Sequence, residues 1–210
     1  RKKMNLTFDK KLFLYLSFAF ILMTIIGTVT HEFGHYFSAK VLGFNSRINY
    51  GMTILENNPS KIMSEKENFL FTLGGPFQTM LTGSIGLFIL LIFRNSYKSV
   101  LNLTFKKWVF IFMTLFWLRQ VANLFIWLLT YVIKGEFAEN GDEIKLAKYL
   151  NLPSWSIHLL TATIGLIILT YVVFNFIPKN NRLTFIISGI FGGISGYILW
   201  LNYLGEKIMP

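Results

Sequence analysis

The residues best able to do chemistry in this chain lie in one short stretch, His31-Glu32-Phe33-Gly34-His35. Its pattern is H-E-x-x-H, and on an α-helix the two histidines stand on one face, one turn apart. Two neutral imidazoles at this spacing can share a divalent metal ion, and Glu32 beside them can take a proton from a water molecule. A polar patch at a helix end, with both histidines hydrogen-bonded, is the plainer explanation. We favour the metal site, because the chain has only three histidines.

The elements that must position this motif are membrane helices. The chain has 210 residues, of which 53% are hydrophobic, and its mean hydropathy is +0.52. Apolar runs long enough to cross a bilayer predict an all-α membrane protein with a single domain over residues 1–210. The five predicted transmembrane helices cover roughly 12–41, 69–93, 108–133, 155–177 and 183–204, and a short extended or hairpin segment lies near 46–56.

The net charge of +10 does not indicate nucleic acid, because Lys and Arg lie mainly between the apolar runs. We expect no nucleic-acid partner and a lipid bilayer instead. The first apolar run leads directly into the motif, so we expect it to stay in the membrane and not to be removed as a signal peptide. The small size favours a multi-pass protein of the bacterial inner membrane. Lys and Arg number 11 on the side of the basic segment 1–11 and 8 on the other, which favours a cytoplasmic N-terminus and an external site.

Counting membrane crossings shows which segments share a membrane face with the motif. The end of the first span, the start of the second, the end of the third and the start of the fourth lie together. Gly74-Gly75-Pro76, the acidic loop 134–154 and His158 are therefore predicted beside His31, Glu32 and His35. Gly83 and Gly86 further along the second span allow close approach of a neighbouring helix.

A catalytic zinc usually has three protein ligands and one open position, and the chain has no cysteine. The third ligand must then be a histidine or a carboxylate. Asp9 is on the wrong face, and Asp142 in the acidic loop is the residue that we favour. Capping of a short helix over 142–150 explains an aspartate there equally well. The other candidates are His158, Glu136, Glu139 and Glu143.

The third span carries three polar residues near its middle, Arg119, Gln120 and Asn123. Such residues are costly in hydrocarbon unless they are paired or face a cavity. We leave two interpretations of Arg119 open, a functional group or a member of an internal hydrogen-bond network.

The motif and the second span together carry a family resemblance. H-E-F-G-H in a membrane helix, followed by Gly75-Pro76-Phe77-Gln78-Thr79, resembles the site-2 protease family of intramembrane zinc metalloproteases. The resemblance implies Zn²⁺ on His31 and His35, with Glu32 as the catalytic base. Thr79 stands where that family has the asparagine of a G-P-x-x-N stretch. Gly141-Asp142-Glu143 approximates the stretch that supplies the family's third ligand.

The implied function is a hydrolase, a zinc-dependent intramembrane metalloprotease acting on membrane-embedded or membrane-proximal substrates. Gly75, Pro76, Thr79 and, in the extended segment, Asn49 are the residues that we expect to bind the substrate. A substrate helix has to unwind before its backbone can react, and the segment 46–56 is suited to pair with it as an added strand. Two other functions remain open: a membrane zinc hydrolase with another interfacial substrate, and a non-catalytic pseudo-protease that binds a partner.

Overall fold

A computed structural model describes residues 8–56, 62–98 and 103–210. Its helices are α1 (Lys10–Val41), α2 (Glu65–Ile92), α3 (Arg94–Lys98), α4 (Phe105–Thr114), α5 (Leu118–Lys134), α6 (Asp142–Tyr149), α7 (Trp155–Asn175), α8 (Arg182–Leu199) and α9 (Gly205–Ile208). Two strands, β1 (Ser46–Ile48) and β2 (Thr53–Leu55), form an antiparallel hairpin.

Five helical stretches are long and apolar enough to cross a membrane, which confirms the predicted fold class and indicates a multi-pass membrane protein. They are Lys10–Val41, Glu65–Ile92, Phe105–Lys134, Trp155–Asn175 and Lys179–Ile208. The short helix and the hairpin lie where the sequence predicts them, at 142–149 and within 46–56. Most of the predicted basic N-terminal segment, residues 1–7, and residues 57–61 of the predicted polar loop lie outside the described residues.

The second span begins earlier than its apolar residues indicate, at Glu65 and not near residue 69. Ser64 and Glu67 form a capping box, in which each side chain accepts a hydrogen bond from the backbone N–H of the other residue. Such a box satisfies N–H groups at the helix start that have no intrahelical partner. The helix therefore extends into polar sequence that a hydropathy profile assigns to the loop.

The third span is interrupted, although the sequence predicts one continuous helix. A single 3₁₀ turn, Leu115–Trp117, separates α4 from α5. The backbone of this turn packs against glycines of two other spans. A Cβ atom at Gly83 would lie 3.2 Å from the backbone nitrogen of Trp117, and a Cβ atom at Gly165 would lie 2.9 Å from the carbonyl oxygen of Trp117. The small residues thus permit the close helix approach that the sequence predicts.

Helix α1 is in contact with two spans along its length. Its first half packs against α8, where a Cβ atom at Gly192 would meet the Ser17 carbonyl oxygen. Its second half crosses α2 at Gly34 and Gly74, whose backbones touch. The helix ends at Val41 with Leu42 as its C-cap, and Gly43 follows at a φ of 77°, a left-handed conformation that favours glycine.

The hairpin lies against the end of α1 that carries the motif. Thr53 of β2 donates a hydrogen bond to the Glu32 carbonyl oxygen, with an oxygen–oxygen distance of 2.8 Å. The C-terminal segment holds the hairpin turn from the other side. The Trp200 indole Nε1 donates to the Tyr50 carbonyl oxygen at 2.7 Å, and the Tyr50 N–H donates to the Met209 carbonyl oxygen at 2.9 Å.

Candidate metal centre

Three potential ligand atoms converge where α1, α2 and α6 meet. The Nε2 atoms of His31 and His35 are 3.2 Å apart, and Oδ2 of Asp142 lies 3.0 Å from the first and 3.2 Å from the second. Ligand atoms of a tetrahedral zinc ion, at 2.0 to 2.1 Å from the metal, are separated by about 3.3 Å. The triangle therefore has nearly the dimensions that three ligands of one such ion require.

The other ring nitrogen of each histidine faces a fixed acceptor. Nδ1 of His35 lies 2.8 Å from the Phe71 carbonyl oxygen, so this nitrogen donates. Nδ1 of His31 lies 3.0 Å from the Thr79 hydroxyl oxygen, and that hydroxyl donates its own hydrogen to the Gly75 carbonyl oxygen at 3.1 Å. Each neutral imidazole thus carries its hydrogen on Nδ1, and both Nε2 atoms present lone pairs.

The triangle consequently brings together three acceptors. In the neutral imidazoles no hydrogen lies between the two Nε2 atoms, or between either of them and the carboxylate oxygen. Three lone pairs at about 3 Å repel one another unless a positive charge lies among them. Because His31 and His35 are 1% and 6% exposed, water gives them little compensation. The donor set of two imidazoles and one carboxylate, with outer hydrogen bonds in place, fits a divalent cation such as zinc.

Asp142 enters the triangle as the first residue of α6. The preceding Gly141 has a φ of 150°, a backbone conformation that side chains disfavour. Burial raises the pKa of the Asp142 carboxyl, but without a metal, protonation of the neighbouring imidazoles on Nε2 would supply hydrogen bonds and positive charge that outweigh burial and hold this pKa well below its usual value. The carboxylate is therefore ionised, as a metal ligand must be, and the N-terminal end of a helix favours its charge.

Gly75 brings the backbone of α2 directly against both histidines. A Cβ atom at this position would overlap Nε2 of His35 and lie 2.6 Å from Nε2 of His31. Pro76 follows inside the helix and has no N–H for the Thr72 carbonyl oxygen one turn earlier. Near this point, donors from α1 reach two carbonyl oxygens of α2: Ser38 to Leu70 at 2.7 Å, and His35 to Phe71. The absence of a side chain at Gly75 makes room for the histidines.

Glu32 lies beside the triangle and outside it. Its side chain is 6% exposed and faces the same cavity as the two histidines. The Thr53 hydroxyl oxygen lies 3.1 Å from the carboxylate Oε2 of Glu32 and 2.8 Å from the backbone carbonyl oxygen of Glu32. The hairpin therefore orients this carboxylate. Thr53 was not among the residues predicted for the site, since nothing in the sequence shows which hairpin residue docks on α1.

The cavity at this centre has a volume of about 360 Å³. Besides the motif and Asp142, its lining includes side chains from α5, α6 and α7: Arg119, Asn123, Trp127, Glu143 and His158. Asn123 donates to the Glu143 carboxylate at 2.8 Å. This pair joins the third span to α6, the helix that begins with Asp142.

The structure brings most of the predicted site residues together. Gly75 and Thr79 contact the two histidines, and Pro76 is buried in the adjoining turn of α2. Asn49 lies in the hairpin turn, where its side-chain oxygen accepts from the N–H groups of Gly51 and Met52 at 3.0 and 2.8 Å. That oxygen is therefore already bonded within the turn.

The other candidates for third ligand lie apart from the triangle. His158 lines the same cavity but stacks on Trp127, and neither of its ring nitrogens has a hydrogen-bond partner among the described residues. Glu143 is bonded to Asn123, whereas Glu136 and Glu139 line a second cavity. Within residues 8–56, 62–98 and 103–210, His31, His35 and Asp142 form the cluster that could hold a metal ion.

Comparisons with protein-family models, curated proteins and solved structures found no match to this chain.

Proposed function

We propose that this protein is a metal-dependent hydrolase of the membrane, and that its reaction is the cleavage of peptide bonds. The observation that carries the proposal is the triangle of lone pairs on His31, His35 and Asp142, with the carboxylate of Glu32 facing the same cavity. Three protein ligands leave a fourth position open, whereas structural zinc sites are normally closed by four. The resemblance to site-2 proteases supports the same function.

The chain's own residues define the roles in this reaction. His31, His35 and Asp142 would hold a zinc ion, which supplies Lewis acidity for activating water and polarising a carbonyl group. Glu32 removes a proton from the attacking water as the new carbon–oxygen bond forms. It then gives this proton to the amide nitrogen as the carbon–nitrogen bond breaks, which yields a carboxylic acid and an amine. Thr53 keeps the Glu32 carboxylate oriented for both transfers.

The hairpin supports an extended peptide as the substrate. Hydrogen bonds from Asn49 to Met52 and from Glu56 to Asn45 mark the bonded pairs between the strands. These alternate with non-bonded pairs, so the backbone groups of Thr53 and Leu55 point away from β1. No described residue outside the hairpin forms a hydrogen bond to these groups. An unwound substrate segment can pair with this edge, which lies beside Glu32.

A hydrolase of another interfacial substrate, such as a lipid ester, would use the same centre. The free edge of β2 favours the peptide, because an ester chain has no N–H groups with which to pair. The presence of Glu32 argues against a pseudo-protease, since a metal site kept for stability needs no base.

The experiment reconstitutes the purified protein in liposomes with a single-span model peptide that has a helix-destabilising residue near one membrane end. We expect mass spectrometry to detect two new fragments. Glu32→Gln should lower the cleavage rate by roughly 10²-fold to 10⁴-fold, the usual contribution of a general base, and should leave the metal content unchanged. Glu56→Gln, which removes a carboxylate at the far end of the hairpin, is the matched control. Cleavage by Glu32→Gln at the wild-type rate, or release of fatty acid in place of peptide fragments, would contradict the proposal.

A further inference from the structure

Arg119 is the one cationic side chain in the middle of a span within the described residues. Its Nε atom is buried without a hydrogen-bond partner. No described residue forms a hydrogen bond or an ion pair with any part of its guanidinium group. A charged group at this depth is costly and requires a partner or a polar cavity. The internal network that would explain Arg119 as a structural residue is therefore absent from the described part of the chain.

Arg119 lies at the cavity of the metal centre. Arg119 lines the same cavity as His31, Glu32 and Asp142. Its positive charge is close enough to act on both His31 and Glu32. Such an effect requires proximity, because the interaction between charges decreases with distance. The side chain therefore directs its charge at the place where the reaction would occur.

The carboxylates that line this cavity already have other partners. Glu32 accepts from Thr53, and Glu143 accepts from Asn123. Asp142 lies between the two histidines. None of these three carboxylates forms an ion pair with Arg119. Its N–H groups are free for an anionic oxygen that arrives with the substrate.

We propose that Arg119 is a catalytic residue that binds the oxygen of the scissile carbonyl as this oxygen becomes negatively charged. The inference rests on the proposed function and deepens it. When the water oxygen bonds to the carbonyl carbon, the π electrons of the carbonyl move onto its oxygen, and Arg119 stabilises that charge through its N–H donors. As the carbon–nitrogen bond breaks, the electrons return and the carbonyl re-forms. The proton removed by Glu32 leaves with the amine.

The local fold keeps Arg119 in place before any substrate binds. It follows the 3₁₀ turn Leu115–Trp117, whose backbone is in contact with Gly83 of α2 and Gly165 of α7. Close packing on two sides fixes the direction in which the first turn of α5 projects its side chains. A donor that is held in position beforehand stabilises charge without a cost of reorganisation during the reaction.

The experiment compares Arg119→Gln and Arg119→Lys with the wild type and with Lys134→Gln. This control removes one positive charge from the same span, at a residue that does not line the metal-centre cavity. For each protein, the zinc content, the kcat and the KM for the liposome substrate are measured. A second readout does not require activity. It is the titration of the Co²⁺-loaded protein with acetate, followed by the visible absorption of the metal.

We expect Arg119→Gln to lower kcat by roughly 10²-fold to 10³-fold, as loss of an oxyanion donor does, with little change in KM or zinc content. Acetate should bind at least about tenfold more weakly, as expected when a charge-assisted hydrogen bond is lost. Arg119→Lys should retain part of both properties, which tests the proposal even if the glutamine variant fails to fold. Lys134→Gln should behave as the wild type.

The assignment would be overturned by a wild-type kcat in Arg119→Gln, by loss of zinc as the main defect, or by acetate binding that is independent of Arg119. A defect confined to substrates with a free C-terminal carboxylate would assign Arg119 to that group and would equally overturn it. If the wild type cleaves no peptide but binds acetate through Arg119, the proposed function fails while the anion site at Arg119 is supported.

Discussion

The two halves of helix α1 bury different kinds of side chain to the same extent. In the first half Leu16 and Phe20 are 3% and 2% exposed, and in the second half His31 and His35 are 1% and 6% exposed. The first half packs into an apolar cluster with residues of α2, α4, α7 and α8. The second half is hydrogen-bonded to α2 and to the hairpin, and its histidines lie beside Asp142 of α6.

This difference shows what each half contributes. Phe20 contacts other rings, with centroids 5.0 Å from Phe112 and 5.3 Å from Phe185, and it needs only shape complementarity. His31 and His35 need specific partners on both ring nitrogens, because buried polar groups without partners are costly. The apolar half therefore stabilises the helix bundle. This stability compensates for the repulsion between the lone pairs of His31, His35 and Asp142 at the polar half.

The largest effect on the polar half is expected from Gly75→Ala. The added methyl group overlaps the Nε2 atoms of both histidines, so two ligand atoms must move. We expect a loss of metal-binding free energy of roughly 3 to 4 kcal/mol, at or above the usual range for overpacking. Metal titration of the purified protein measures it. Gly193→Ala on α8, where an added Cβ meets nothing within 4 Å, is the matched control and should bind metal normally.

Phe20→Ala tests the apolar half. It should lower the free energy of unfolding by about 3 kcal/mol, the lower end of the range for a buried phenylalanine, because lipid already solvates apolar side chains. Denaturant titration in mixed micelles checks this value. Zinc content measured at full folding should stay at the wild-type level. Loss of metal from the folded variant would mean that the two halves are not independent.

A smaller effect is expected from Thr79→Val, which preserves shape but removes the acceptor for Nδ1 of His31. Loss of such an outer hydrogen bond typically weakens metal binding by roughly 10-fold to 100-fold. Thr82→Val on the same helix removes a hydroxyl that is bonded to Gln78, away from the histidines, and serves as control. Equal metal affinities of the two variants would count against the assigned tautomer of His31.

Much of this architecture could be predicted from the sequence. Runs of apolar residues locate five spans, because the thickness of a bilayer fixes how many such residues a helix needs. Helical periodicity places His31 and His35 on one face. Counting crossings brings Asp142 to the same membrane face. The sequence-based preference for Asp142 over His158 agrees with the cluster in the structure.

The remaining features depend on how helices pack, which periodicity does not determine. The 3₁₀ turn at Leu115–Trp117 arises where glycines of two other spans approach the chain. The hydrogen bonds of the Thr79 hydroxyl with His31 and of the Thr53 hydroxyl with Glu32 are examples. They depend on the depth and rotation of each helix. The start of α2 is an exception, because Ser64 and Glu67 match the S-x-x-E pattern of a capping box. This pattern predicts that the helix begins at residue 65.

The most direct test of the metal centre is the zinc content per chain of the wild type beside Asp142→Ala and Glu32→Gln, after equilibration with limiting Zn²⁺. We expect close to one zinc in the wild type, close to one in Glu32→Gln, and a large loss in Asp142→Ala, since Asp142 completes the triangle and Glu32 lies outside it. Retention of zinc in Asp142→Ala, or its absence from the wild type, would contradict the central claim that His31, His35 and Asp142 hold one metal ion.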